Sequence, residues 1–184
     1  FSKLNDKNIK GVCTKYFNEN YGCFVNLIGY TDQKSYLNSN INSLIKILSI
    51  NTIIPMFVLR HILKKMVKKK YGRIVNGSSI GVKFGGGENS FNYSLSKHLL
   101  EFIPNTLRKL ASKNIIINNI RIGVTDTKIH KKLKRNKSFL KKRISLIPTG
   151  RLASKKEIAE YIYMLLNEKN SFMTNQTVTV SGGE

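Results

Sequence analysis

Acidic side chains are scarce. The chain carries 10 Asp and Glu against 32 Lys and Arg, a formal net charge of +22. So large an excess admits contact with nucleic acid or with an anionic membrane surface. Yet the basic residues are spread over many segments and no recognition motif accompanies them. Lys, Asn and Ile dominate the whole chain, as in the products of AT-rich coding sequence. We therefore expect no specific nucleic-acid partner, because charge alone supports only non-specific contact. Cysteine is nearly absent as well. Cys13 and Cys23 lack Cys-x-x-Cys spacing, which gives no case for a metal site or a disulfide framework. Two reduced thiols in a cytoplasmic protein are expected instead. Long apolar runs are missing. The longest, Ile53 to Leu59, is interrupted by Pro55 and too short to cross a bilayer, so no membrane partner is expected. A starting Met is missing too. The chain opens at Phe1, and the expectation is that its true beginning, with any targeting segment, lies upstream.

What is present suits one domain. The 184 residues, 41% of them hydrophobic, suffice for a sizeable core. Ile9, Val12, Cys13, Tyr16 and Phe17 recur at helical spacing and predict a helix over 6–19, capped by Asn5 or Asp6. Residues 23–29 read as a short buried strand closed by Gly29. Residues 30–40 are turn-like. A long helix runs from Asn42 to about Lys69, with Leu44, Leu48, Pro55, Val58, Ile62 and Met66 on one side and Pro55 opening it locally. Asn51 falls on that apolar stripe. It is either a satisfied core Asn bracing the helix or a residue that holds something in place. A strand ends at Ser79, and a helix starts at Tyr93 with Leu99, Leu100, Ile103 and Leu107 on its apolar face. A β-branched strand follows over 115–122. The basic run 128–143 reads as a solvated helix pair or as a lid attracting an anionic substrate. Ser154 and Glu157 form a capping box, and a last strand over 176–180 leads into Ser181-Gly182-Gly183-Glu184. This βαβ alternation predicts an α/β fold, a doubly wound parallel sheet with helices on both sides and ligands beyond the strands' carboxyl ends. Gly29, Ser79 and Gly123 should gather there. Neither an internal repeat nor a second domain is evident.

The chemistry concentrates in 73–97. A strand ends in Gly77-Ser78-Ser79, a glycine-rich loop follows, and Tyr93 and Lys97 stand one helical turn apart on one face. A nearby ammonium favours phenolate and lowers a tyrosine pKa, which suits Tyr93 to proton transfer with a substrate oxygen.

With these segments the chain resembles the short-chain dehydrogenase/reductases over essentially its whole length. Arg73–Ser79 resembles the family's strand ending in the active-site serine. Tyr93-Ser94-Leu95-Ser96-Lys97 is its Tyr-x-x-x-Lys motif, and Asn51 is similar in position to the asparagine of its tetrad. Val25-Asn26-Leu27-Ile28-Gly29 resembles a degraded Asn-Asn-Ala-Gly motif. Ile122-Gly123-Val124-Thr125-Asp126-Thr127 resembles the segment that touches the nicotinamide, with Ile122 replacing a proline. The resemblance implies a single Rossmann-like oxidoreductase domain over 1–184 and NAD or NADP as cofactor. It implies Ser79, Tyr93, Lys97 and Asn51 as catalytic residues. Tyr93 would exchange the proton, Ser79 would bind the substrate oxygen, Lys97 would bind the ribose hydroxyls, and Asn51 would hold a water joining Lys97 to solvent. Asn26, Gly29, Tyr93, Lys97, Gly123, Val124, Thr125 and Thr127 would bind the cofactor, Asn26 and Gly29 on its adenosine side. The family's glycine-rich pyrophosphate turn and first βαβα part have no counterpart, so roughly 50–60 residues are expected upstream of Phe1. The residue selecting NAD or NADP would lie there. Family likeness further implies a homodimer or homotetramer built on the helices near Asn42 and Tyr93. Its implied substrates are a surface-sugar intermediate or a 3-oxoacyl-carrier-protein thioester. A catalytically inactive scaffold and a basic nucleic-acid binder are the alternatives.

Overall fold

A computed structural model of the chain describes residues 5–17, 19–128 and 137–184. Four parallel strands form its centre: β1 (Cys23–Asn26), β2 (Gly72–Ser79), β3 (Ile115–Ile122) and β4 (Thr177–Val180), in the spatial order β1-β2-β3-β4. Helix α1 (Asp6–Tyr16) precedes β1. Helix α2 (Ile41–Leu48), a π-helical segment Ser49–Ile53 and helix α3 (Ile54–Lys69) connect β1 to β2. Helices α4 (Phe91–Leu100) and α5 (Asn105–Arg108) connect β2 to β3, and α6 (Lys137–Ile144) and α7 (Lys155–Leu166) connect β3 to β4. The side chains explain why helices cover both faces. Along β2, Ile74 joins a core with Val58, Ile62 and Met66 of α3, while its neighbour Val75 packs with Ile158, Ile162 and Leu165 of α7. Adjacent strand residues point to opposite faces, so a continuous apolar run must be buried twice. The fold is the expected Rossmann-like one.

Several local expectations are corrected. Residues 27–29 do not extend the first strand, and β1 is not buried. It lies at the edge of the described sheet, with Val25, Leu27 and Ile28 exposed. In α1 only Ile9, Cys13 and Phe17 join the core, whereas Val12 and Tyr16 face solvent. Helix α4 starts two residues before Tyr93 and stops at Leu100. Pro104 then opens the short α5, so Leu99 is exposed while Leu100 and Ile103 are buried.

The helix bend predicted at Pro55 is a stretch of π-helix. Pro55 has no N–H to bond the carbonyl four residues back. The turn before it widens, and Ile54 N bonds Ser49 O, five residues back. The widened turn rotates the buried face, so Ile47 rather than Leu48 is buried ahead of it. The whole stretch Ile41–Lys69 is long and apolar enough to cross a membrane by length and composition. Its inner side is nonetheless the core of the domain, through Val58, Leu59, Ile62, Leu63 and Met66. Both cysteines are free thiols, Cys13 buried and Cys23 exposed. Of the basic run, residues 129–136 lie outside the described residues.

Candidate active site

Ser79 is the last residue of β2. Its Oγ accepts the amide of Gly81 at 3.2 Å and so caps the 3₁₀ turn Ile80–Phe84. A hydroxyl that accepts from the backbone keeps its own proton for another acceptor. Two glycines with left-handed backbone, Gly85 and Gly86, then reverse the chain. A Cβ on Gly86 would fall 2.3 Å from Ser94 Oγ, so the loop closes tightly on α4. Tyr93 and Lys97 lie on successive turns of α4, and both line a cleft of about 1150 Å³ beyond the carboxyl ends of the strands. Ser79, Gly29, Gly123, Val124, Thr125 and Thr127 line it too. The sheet edge thus gathers nearly all the residues singled out in the sequence.

Lys97 is the electrostatic centre. Its Nζ donates to the carbonyls of Ile28 and Gly77, each at 2.7 Å. Burial lowers its pKa to about 8. The two bonds use two of three ammonium protons. They also tie the loop after β1 to β2, a structural role the sequence reading did not include.

Asn26 and Asn51 are placed elsewhere. Asn26 is buried in the sheet, its Oδ1 accepting Ile28 N at 3.1 Å and its Nδ2 without a partner among the described residues. It shapes the turn that carries Gly29 and does not line the cleft. Asn51 is fully buried and also off the cleft wall. Its side chain exchanges both bonds with the Tyr30 backbone and donates to Ser96 Oγ at 2.8 Å. Its neighbour Thr52 donates to Ser96 O at 2.8 Å, and Ser96 Oγ donates to Tyr93 O at 2.7 Å. Of the two readings open for Asn51, its side chain fits the satisfied core brace. The π-helical segment grips α4 between Tyr93 and Lys97.

One group escaped the sequence reading, and a second was read there only as part of the closing segment Ser181-Gly182-Gly183-Glu184. Glu101, one turn past Lys97, makes a two-pronged ion pair with Arg121, Nε–Oε1 2.8 Å and Nη2–Oε2 2.7 Å. Ser78 Oγ donates to the same carboxylate at 2.6 Å. The clamp ties the end of α4 to β2 and β3, and the continued spacing 93, 97, 101 was its available signal. The second is Glu184, at the cleft wall, bonded by Arg143 of α6.

The residues fit a nicotinamide nucleotide in part. Lys97 retains one ammonium proton at the cleft. A Cβ added at Gly29 would touch Lys97 Nζ and the Tyr93 ring at ordinary contact distances of 3.8 and 4.0 Å, so glycine leaves room beside them. A Cβ on Gly123 would fall 2.6 Å from Ser181 Cα, which keeps this strand end pressed against the segment after β4. For the adenosine and pyrophosphate end, no glycine-rich turn between a strand and a helix lines the cleft on the β1 side among the described residues.

Residues 10–184 match the family model described as enoyl-(acyl carrier protein) reductase. The 3-oxoacyl-[acyl-carrier-protein] reductase FabG of Aquifex aeolicus is 30% identical over 98% of this chain and 73% of its own length. That of Buchnera aphidicola subsp. Schizaphis graminum is 34% identical over 86% of this chain and 61% of its own length. The chain thus spans about three fifths to three quarters of these curated relatives. Among solved structures, a 3-oxoacyl (acyl-carrier-protein) reductase from Agrobacterium tumefaciens with NADP bound superposes with a TM-score of 0.85, at 21% identity over 96% of this chain and 69% of that one. YwfH, an NADPH-dependent reductase involved in bacilysin biosynthesis, gives 0.87 at 23% identity over 97% and 73%.

Proposed function

We propose that this chain, which belongs to the short-chain dehydrogenase/reductase family of oxidoreductases, carries the catalytic residues of an NAD(P)-dependent reductase acting on a carbonyl, or in reverse on an alcohol. The observation that supports this most is the convergence of Ser79, Tyr93 and Lys97 on one cleft from two separate segments. When bound, the nicotinamide supplies or receives the hydride. Every other part of the reaction falls to this chain. Ser79, its oxygen already accepting from Gly81 N, donates its hydroxyl proton to the substrate oxygen. Tyr93 delivers the proton to that oxygen. Lys97, held by Ile28 O and Gly77 O, directs its remaining proton and its charge into the cleft. Val124, Thr125 and Thr127 stand where the strand ends meet the nicotinamide side. Asn51 acts by positioning: it and Thr52 set the pitch of α4 at Ser96.

Two substrate classes remain in view, a carrier-protein thioester and a sugar intermediate. The named relatives favour the first, as do the apolar residues of the cleft lining, Phe84, Phe139 and Leu146 among them; the Glu184–Arg143 pair at the wall favours the second. An oligomer built on the α2–α4 side accompanies the proposal. The test is NADPH and NADH oxidation against a panel of ketones and 3-oxoacyl thioesters, using the longest gene product that contains this chain. Tyr93→Phe should lower kcat by about 10²–10⁴-fold, the usual worth of a positioned general acid. An unchanged rate would remove Tyr93 from the mechanism.

A further inference from the structure

We propose that Gln33 is a specificity-determining residue: its side-chain amide bonds a second polar group on the substrate, beside the reacting carbonyl, and so favours carbonyl compounds that carry one over plain ketones. The inference rests on the reading of the cleft as a carbonyl-reducing site. Gln33 lines the same cleft as Ser79 and Tyr93. It is exposed, and its side-chain amide takes no bond within the described residues. An amide offers two N–H donors and an acceptor oxygen, so it can serve a hydroxyl or a carbonyl alike. The Gln33 backbone is left-handed, with φ of 55°. An L side chain adopts that conformation at a cost, and such residues persist where their surroundings hold them. Lys70 and Asn114 adopt it where each closes a helix. Gln33 closes no helix.

The residues on either side hold it there. Asp32 Oδ2 accepts from Asn92 Nδ2 at 2.8 Å, and Lys34 O accepts from Phe91 N at 3.3 Å. Asp32 Oδ1 also accepts from Lys34 N at 3.3 Å, which closes a small turn around Gln33. Asn92 is fully buried, and its Oδ1 accepts from Ser39 Oγ at 2.7 Å. The Tyr36 ring meets the Phe91 ring edge-on, 4.8 Å between centroids. At the start of the loop, Asn51 bonds both backbone groups of Tyr30. Phe91 and Asn92 are the two residues before Tyr93. The bracketing bonds therefore set Gln33 against the first turn of α4, next to the proposed proton donor. Asp32, Lys34 and Asn92 stand off the cleft wall, whereas Thr31 and Gln33 line it. The Thr31 hydroxyl accepts from Gln33 N at 3.4 Å, so the Gln33 amide is the open polar group of the pair. A backbone fixed in advance leaves only this side chain to order on binding.

The test is steady-state NADPH oxidation by the longest gene product that contains this chain, with binding of the same probes followed in parallel by saturation-transfer NMR. The probes are S-acetoacetyl-N-acetylcysteamine, dihydroxyacetone and 2-heptanone. Beside the ketone they carry, in turn, a thioester carbonyl, hydroxyls and no polar group. Gln33→Gly keeps the left-handed turn and removes the amide. It should lower kcat/KM for one polar probe relative to 2-heptanone by about 3–10-fold, the scale of one neutral hydrogen bond, and mainly through KM. The probe affected identifies the group that the amide reads. Gln33→Asn tolerates the turn and keeps an amide on a shorter stem, so its ratio should fall between the two. Asp32→Ala should lower the same ratio and speed amide hydrogen exchange over residues 31–39, because the loop loses its bond to Asn92. Unchanged ratios in Gln33→Gly overturn the proposal, whatever Asp32→Ala does. So does binding of neither polar probe. Gln33-dependent binding without NADPH oxidation would sink the reductase reading and leave this one standing.

Discussion

Lys97 shows how one side chain joins stability to chemistry. Burial lowers its pKa from 10.5 to about 8 in the folded chain. Between about pH 8 and 10.5 the unfolded chain therefore binds more protons at this site than the folded one. Stability contributed by this group rises with pH across that window, and below about pH 8 the full cost of burying the ammonium is present. Catalysis runs the other way. In the proposed mechanism the Lys97 ammonium is lost above about pH 8, so carbonyl reduction should fall with an apparent pKa near that value. ¹⁵N-detected lysine NMR should find one amine titrating near pH 8, absent in Lys97→Met. A Lys97 signal titrating with the others would contradict the burial argument. Arg73 is the second buried cation, at the far end of β2. It is 1% exposed and donates to the carbonyls of Gly72, Asn114 and Glu168 with no carboxylate among those bonds. Arg73→Met would take this donor from the Gly72 and Glu168 carbonyls, Asn114 O keeping its bond from Gly72 N, and should cost about 2–4 kcal/mol, read from urea unfolding.

At the scale of elements, α4 carries the proposed proton donor Tyr93, and three attachments hold it. Asn92 at its start donates to Asp32 at 2.8 Å, the π-helical segment binds Ser96, and Glu101 anchors its far end to Arg121 and Ser78. Glu101→Ala would leave a half-buried guanidinium without its carboxylate and the Ser78 hydroxyl with only its 3.4 Å bond to Lys97 O, a loss of about 2–4 kcal/mol. Because the α4 axis would then shift under Tyr93, kcat should fall more than KM changes, and Glu101→Gln should recover part of it. Equal kinetics for Glu101→Ala and wild type would deny the clamp any positioning role. The sequence revealed the strands, the helix order and the Ser79–Tyr93–Lys97 set, because hydrophobic period and short spacing are local properties. It left the clamp hidden, since Glu101 and Arg121 meet only through the β2–β3 crossover. Asn51 was legible as unusual but not in its role. Its three bonds reach Tyr30 and Ser96, 21 and 45 residues away, and no spacing rule reports them. The first strand was overread because an apolar run alone cannot tell an edge from a centre.

The whole molecule has an apolar surface to account for. Leu37, Ile41, Met56, Leu99 and Phe102 are exposed on or beside α2, the π-helical segment, α3 and α4. In the helix Ile41–Lys69 the most apolar window has mean hydropathy 1.6, and only 33% of it is buried within the domain. A lipid cover and a second copy of the chain are two ways to hide these exposed residues. The polar residues decide between them. Ser49, Asn51 and Thr52 sit at the waist of this helix, and Asn51 and Thr52 bond α4 and the loop at Tyr30. A helix so bound to its own domain cannot enter a bilayer without breaking those bonds. Association of two copies along α2–α4 leaves them intact and covers the exposed residues, and stable interfaces of this kind bury about 1,200–2,000 Å² in total. The expected result is a dimer or tetramer by sedimentation velocity at micromolar concentration. Met56→Glu combined with Phe102→Glu should yield monomers of unchanged helix content. A monomeric wild type, or flotation with anionic vesicles that persists in high salt, would refute the subunit interface and return the helix to the membrane.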